Sequence, residues 1–92
     1  MASSDDATAE PAYAVMIHND DHTPMEFVVD ALQRFLEMDQ EDATRLMLRI
    51  HHEGIADCGR FGQAEAEAKA AGVVSFAREH GHPLRCAVEP VA

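Results

Sequence analysis

The sequence predicts an α+β domain in which a three-stranded antiparallel sheet is covered on one face by three helices. Three observations carry that expectation. The chain has 92 residues, enough for one modest core and not for a second domain. Short β-like runs alternate with longer segments whose apolar residues recur at helical spacing. The helical segments are bracketed by start and stop residues, which yields the order β-α-α-β-α-β.

Each element follows from its residues. Residues 1–11, "MASSDDATAEP", are small, polar and acidic, so they are expected as a flexible tail, with the folded domain over 12–92. Residues 13–18 form the first strand. Thr23-Pro24-Met25-Glu26 reads as a capping box that opens helix one over 24–37: Thr23 caps, Pro24 takes the first helical position, and Glu26 follows three residues after the cap. Phe27, Val28, Ala31, Leu32 and Phe35 make its apolar stripe. Asp39 caps helix two over 40–53, where Ala43, Leu46, Met47 and Ile50 share a face, and Gly54 stops it. A second strand covers 54–61. Helix three, Ala-rich, spans 63–80 and ends at Gly81 with Pro83 beyond; residues 84–90 supply the third strand.

Composition excludes several function classes. A net charge of −10 argues against nucleic acid, which needs clustered Lys and Arg, and against anionic membrane surfaces. No apolar run approaches the roughly 18–20 residues of a membrane span. The N-terminus lacks the basic start and apolar centre of a signal peptide, so a cytoplasmic setting is expected. Two cysteines, Cys58 and Cys86, are too few for a disulfide framework or an all-Cys zinc site and are read as reduced, small hydrophobes. No activated nucleophile or phosphate-binding Gly loop is visible, so neither catalysis nor a cofactor is expected, and the domain reads as a monomer.

Two features draw attention to binding. The loop Asn19-Asp20-Asp21-His22 places an amide and two carboxylates directly before helix one. Asn and Asp are common turn formers, and acids near a helix N-terminus suit its dipole, so this loop has an ordinary reading. On helix two, Met47, Ile50 and His51 lie at i, i+3 and i+4 and share a face, whereas His52 points to solvent. His51 alone reads as a histidine at the core edge or beside the helix C-terminus. A metal site built from His18, Asp20, His22 and His51 is an alternative, although no HExxH-like ligand spacing is present.

In order and with family-like intervals, the stretches "NDDHTPMEFVVDALQRF", "ATRLMLRIHHEG", "CGRF", "EAKA" and "HPLRC" resemble the ClpS family, adaptors that deliver N-degron substrates to a Clp ATPase. The resemblance covers about residues 12–90, and its fold agrees with the element order above. It implies a non-catalytic adaptor that binds the free N-terminus of a polypeptide whose first residue is Leu, Phe, Tyr or Trp. Carried over to this chain, Asn19, Asp20 and His51 hold the N-terminal ammonium and first peptide group. Asp21, Thr23 and Pro24 shape the rim and the helix start. Met25, Val28, Met47, Ile50 and Leu84 wall the pocket for the first side chain. Such a site suits the ligand, because an α-ammonium offers three donors and a charge that must stay paired while a side chain is buried beside it.

The resemblance also implies docking on the N-terminal domain of a ClpA-type ATPase, with Lys69 of "EAKA" on that surface. Three positions depart from the family pattern: Ala64 stands where an acidic residue is common, His22 replaces a common Tyr, and Arg85 replaces an apolar residue. A domain that shares the fold but only docks on the ATPase, without binding N-termini, is the main alternative.

Overall fold

The structure is a computed structural model and describes residues 12–91. The segment 1–11, expected as a tail, lies outside the described residues, as does residue 92. Six elements follow one another: β1 (Ala12–His18), α1 (Met25–Phe35), α2 (Gln40–Glu53), β2 (Ile55–Phe61), α3 (Gln63–Glu79) and β3 (Arg85–Val91). The expected order and class are found, with boundaries that differ by one or two residues.

The three strands form one antiparallel sheet in the order β2-β1-β3. Alternation along β1 aims Val15 and Ile17 into the helix layer, where both are fully buried. The β1–β2 ladder slips between Ala14 and Met16, so that Cys58 and Gly59 together face Val15. Gly59 accommodates this bulge with φ 142°, a conformation that an L side chain rarely adopts. α2 packs on β2, and α3 packs on β1 and β3, while α1 lies across α2 and α3. The common core joins Val15, Ile17, Leu32, Ile50 and Val73.

Local signals set the helix ends. Asp39 accepts the Asp42 N–H at 2.8 Å, as a capping Asp should. Gly54 stops α2 in the left-handed region, φ 87°, with its N–H bonded to Ile50 O. Past α3, Gly81 at φ 74° allows a Schellman closure: His82 N–H reaches Ala77 O and Gly81 N–H reaches Arg78 O. α1 behaves differently from the expected capping box. Its cap is Pro24, at φ −62° and ψ 145°, without a side-chain cap bond. In the turn closed by Thr23 N–H on Asp20 O, the Thr23 hydroxyl instead donates to the Asp20 carboxylate, a charge-assisted bond that turns the side chain toward the loop and away from the helix N–H groups.

Candidate functional site

Three elements meet at one small concavity. The β1–α1 loop contributes Asn19, Asp20, Asp21 and Thr23; α1 contributes Met25 and Val28; α2 contributes Met47, Ile50 and His51. The loop is pinned from both ends. Asn19 N–H donates to Gly54 O at 2.8 Å, which ties its start to the turn after α2. At the other end, Thr23 Oγ1 donates to Asp20 Oδ2 at 2.6 Å.

Thr23 is 7% exposed and buries its hydroxyl only because that bond satisfies it. The bond occupies one carboxylate oxygen of Asp20 and leaves Oδ1 as an acceptor. Asn19 Nδ2 leans toward Asp21 Oδ1 at 3.5 Å, which leaves its own carbonyl oxygen available.

The pocket divides into an apolar base and a polar mouth. Val28, Met47 and Ile50 are 6%, 8% and 2% exposed and form the base. Asn19 and Asp20 are half-buried, and Asp21 and His51 are exposed at the mouth. Met25, 45% exposed, stands at the edge and is free to change rotamer. The cavity measures about 100 Å³, roughly two-thirds of the ~150 Å³ apolar cavity known to take benzene. Chemically, the arrangement offers a dry socket for one apolar side chain beside acceptors for a cation.

All nine lining residues are among those the resemblance implies. Two expectations differ in detail. Pro24 is exposed and opens α1 without lining the pocket. Leu84 is placed elsewhere: it is 4% exposed, belongs to the core, and lines a separate groove. It directly precedes β3, on the same side of the extended chain as Cys86 and opposite the exposed Arg85, which aims it inward at the helix layer.

The residues of the metal alternative are not assembled. His18 lines that second groove, Asp20 and His51 line the pocket, and among the described residues no three His, Cys, Asp or Glu converge on a metal-sized site. Lys69 lies away from the pocket and is engaged within the chain. Its Nζ donates to Phe35 O at 3.2 Å, capping α1, and approaches Glu37 at 3.6 Å and Glu65 at 3.8 Å.

Among the described residues no helix is long and apolar enough to cross a membrane. Both thiols are free; burial, first of all, pushes Cys58 and Cys86 up to about 12.

Known proteins share this sequence and geometry. ClpS 2 of Rhodopseudomonas palustris, an ATP-dependent Clp protease adapter protein, is 54% identical over 77 residues, covering 84% of this chain and 71% of the relative. The ClpS adapter of Brucella canis is 49% identical over 83 residues, covering 89% and 72%. The structure of Agrobacterium tumefaciens ClpS2 bound to L-phenylalaninamide superimposes with a TM-score of 0.86 at 34% identity, covering 88% of this chain and 98% of that one. Residues 8–87 match the family described as ATP-dependent Clp protease adaptor protein ClpS. This chain therefore belongs to the ClpS family of Clp protease adaptors.

Proposed function

We propose that the chain binds the free N-terminus of polypeptides whose first residue is Leu, Phe, Tyr or Trp and presents them to a ClpA-type ATPase, without catalysing a reaction. The observation that carries this reading is the convergence of Asn19, Asp20 and His51 on the mouth of a socket built from Val28, Met47 and Ile50. The ligand in the A. tumefaciens ClpS2 structure, L-phenylalaninamide, supports it, because that molecule pairs an α-amino group with a bulky apolar side chain.

Each part of the ligand meets a matching group. The ammonium donates to Asp20 Oδ1, to the Asn19 carbonyl oxygen and to a neutral His51 ring nitrogen. The first side chain enters the base, where burial is worth about 1.5–3 kcal/mol. Each bond to the charged amine adds roughly 1.5–3 kcal/mol, and association costs leave an affinity near micromolar. A Leu side chain is of the size of the whole cavity, about 100 Å³. A larger ring reaches the mouth and displaces Met25. Docking on the ATPase uses the Lys69 surface, where Glu37 and Glu65 frame the ammonium and are 81% and 59% exposed.

Fluorescence anisotropy with a labelled peptide beginning with Phe tests the binding step. Tight binding by Phe and Leu peptides is expected, with loss of at least a hundredfold on N-acetylation, which removes the charge and two donors. Equal binding of the acetylated peptide would overturn the ammonium assignment. No binding by any bulky first residue to folded protein would leave ATPase docking without N-terminus recognition.

A further inference from the structure

We infer that the groove between the end of α3 and the start of β3 docks a short acidic segment of a partner protein, one that sets an apolar side chain between carboxylates. The chain carries seven Lys and Arg against seventeen Asp and Glu. Five of those cations, Arg34, Arg45, Arg49, Arg60 and Lys69, lie within 4 Å of a carboxylate of the same chain. Arg78 and Arg85 make no ion pair among the described residues. Both are exposed, and both line this one groove, together with His18 and His82.

The lining holds no Asp or Glu among the described residues, in a chain where acids outnumber cations more than twofold. Its floor is apolar, with Val74 half-buried and Leu84 buried, and its volume is about 700 Å³. That space holds several residues of a peptide. It shares no residue with the socket described above.

The chemistry selects the partner. Two uncompensated guanidiniums in a concave surface read carboxylates in bidentate fashion at short range. The net charge of −10 repels anions at long range in proportion to their charge, which disfavours nucleic acid far more than a short acidic segment. An apolar floor adds nothing for a bare anion but rewards a peptide side chain. A wet, exposed groove of this kind supports a weak, salt-sensitive contact.

The test uses the 92-residue chain, isotope-labelled, and an acetylated, amidated Asp-Glu-Leu-Glu-Asp peptide, whose blocked N-terminus keeps it out of the N-terminus socket. Saturable amide shifts are expected at Val74, Arg78, Arg85 and Ala87. A neutral Asn-Gln-Leu-Gln-Asn peptide should bind at least tenfold more weakly, as should the acidic peptide to the double variant R78Q/R85Q. Each single variant, R78Q and R85Q, should weaken binding about threefold, and both side chains are exposed, so the fold should survive. Unchanged binding of a Phe-first peptide to the variants would verify that the other site is intact. Absence of saturable shifts, equal binding of the neutral peptide, or full affinity in the variants would overturn the proposal. So would equal displacement by inorganic phosphate or a ten-nucleotide oligothymidine, since either marks an unselective anion patch.

Discussion

Thr23 Oγ1 donates a 2.6 Å hydrogen bond to Asp20 Oδ2 across the turn that precedes α1, and the donor residue is buried while the acceptor is half-exposed. The bond holds the carboxylate at the mouth of the socket with its second oxygen free. Binding a cation then needs no prior ordering of the Asp20 side chain, which is how preorganisation improves affinity.

Removing that hydroxyl should cost both stability and binding. Thr23→Val keeps the shape but deletes a charge-assisted bond, so a loss of about 1–2 kcal/mol in urea denaturation is expected. Affinity for a Phe-first peptide should fall several-fold, and Thr23→Ser should restore most of both. A Val variant with wild-type affinity would show that Asp20 is held by something other than Thr23.

Met25 is expected to act as the gate of the socket. It is 45% exposed at the edge of a cavity only about 100 Å³ in volume, so its thioether is expected to meet the extra methyl of a β-branched first residue. Met25→Ala should admit peptides beginning with Ile or Val, which wild type rejects by tenfold or more. Competition anisotropy decides the matter: continued rejection of both by the variant rules out a steric gate at this position.

Stability should decline at both ends of the pH scale, for two different reasons. Burial raises the Asp57 carboxyl, but the Arg60 side chain at 2.9 Å, the Gly59 N–H at 2.9 Å, and the Arg60 and Arg49 charges outweigh it and hold the group below its ordinary 3.8. A depressed acid stabilises the fold above its unfolded value, and that contribution is lost as pH falls through the folded one. Asp57→Asn should therefore flatten the decline below pH 4. The thiols act in the opposite sense: the native state holds Cys58 and Cys86 protonated to about 12, while the unfolded chain ionises near 9. Each should withdraw about 1 kcal/mol of stability per pH unit above 9. Urea midpoints at pH 8, 9 and 10 check this, and Cys86→Ala should show a shallower slope than wild type.

Gly72 lies inside α3, where alanine would normally help by roughly 0.5–1 kcal/mol. Here a Cβ would sit 2.7 and 2.8 Å from Phe35 Cδ1 and Cε1, and the Phe35 ring is itself packed on Phe76 with centroids 5.6 Å apart. The clash should win, and Gly72→Ala should lower stability by about 1–2 kcal/mol. Thermal unfolding of Gly72→Ala, Phe35→Leu and the double variant tests the cause, since relief of the clash makes the pair less than additive. A more stable Gly72→Ala protein would remove the close approach as the reason for glycine.

Much of the fold was legible because its signals are local. Asp39 and Gly54 delimit α2 through their own dihedral and bonding preferences, whatever else the chain does. Gly81 does the same for α3. The start of α1 differs from the expected capping box for the opposite reason: the Thr23 hydroxyl can accept from a helix N–H or donate to Asp20, and the turn that brings Asp20 back sets which way it faces. Leu84, expected on the socket wall, is carried into the core by the extended segment that leads into β3. Gly59 inside the second strand is a local sign of a bulge, whereas the capping of Phe35 O by Lys69, thirty-four residues away, gave none.

By itself the sequence determined the element order, the helix stops, the acidic character that disfavours nucleic acid, and the residue types of the candidate site, because each follows from composition or from contacts within a few positions. Only the tertiary structure decided that nine of those residues share one socket, that Met25 stands at its mouth and Leu84 outside it, and that Arg78 and Arg85 line one groove without an ion pair among the described residues. Those relationships join residues from separate elements, and helix and sheet packing, which no single segment encodes, brings them within reach.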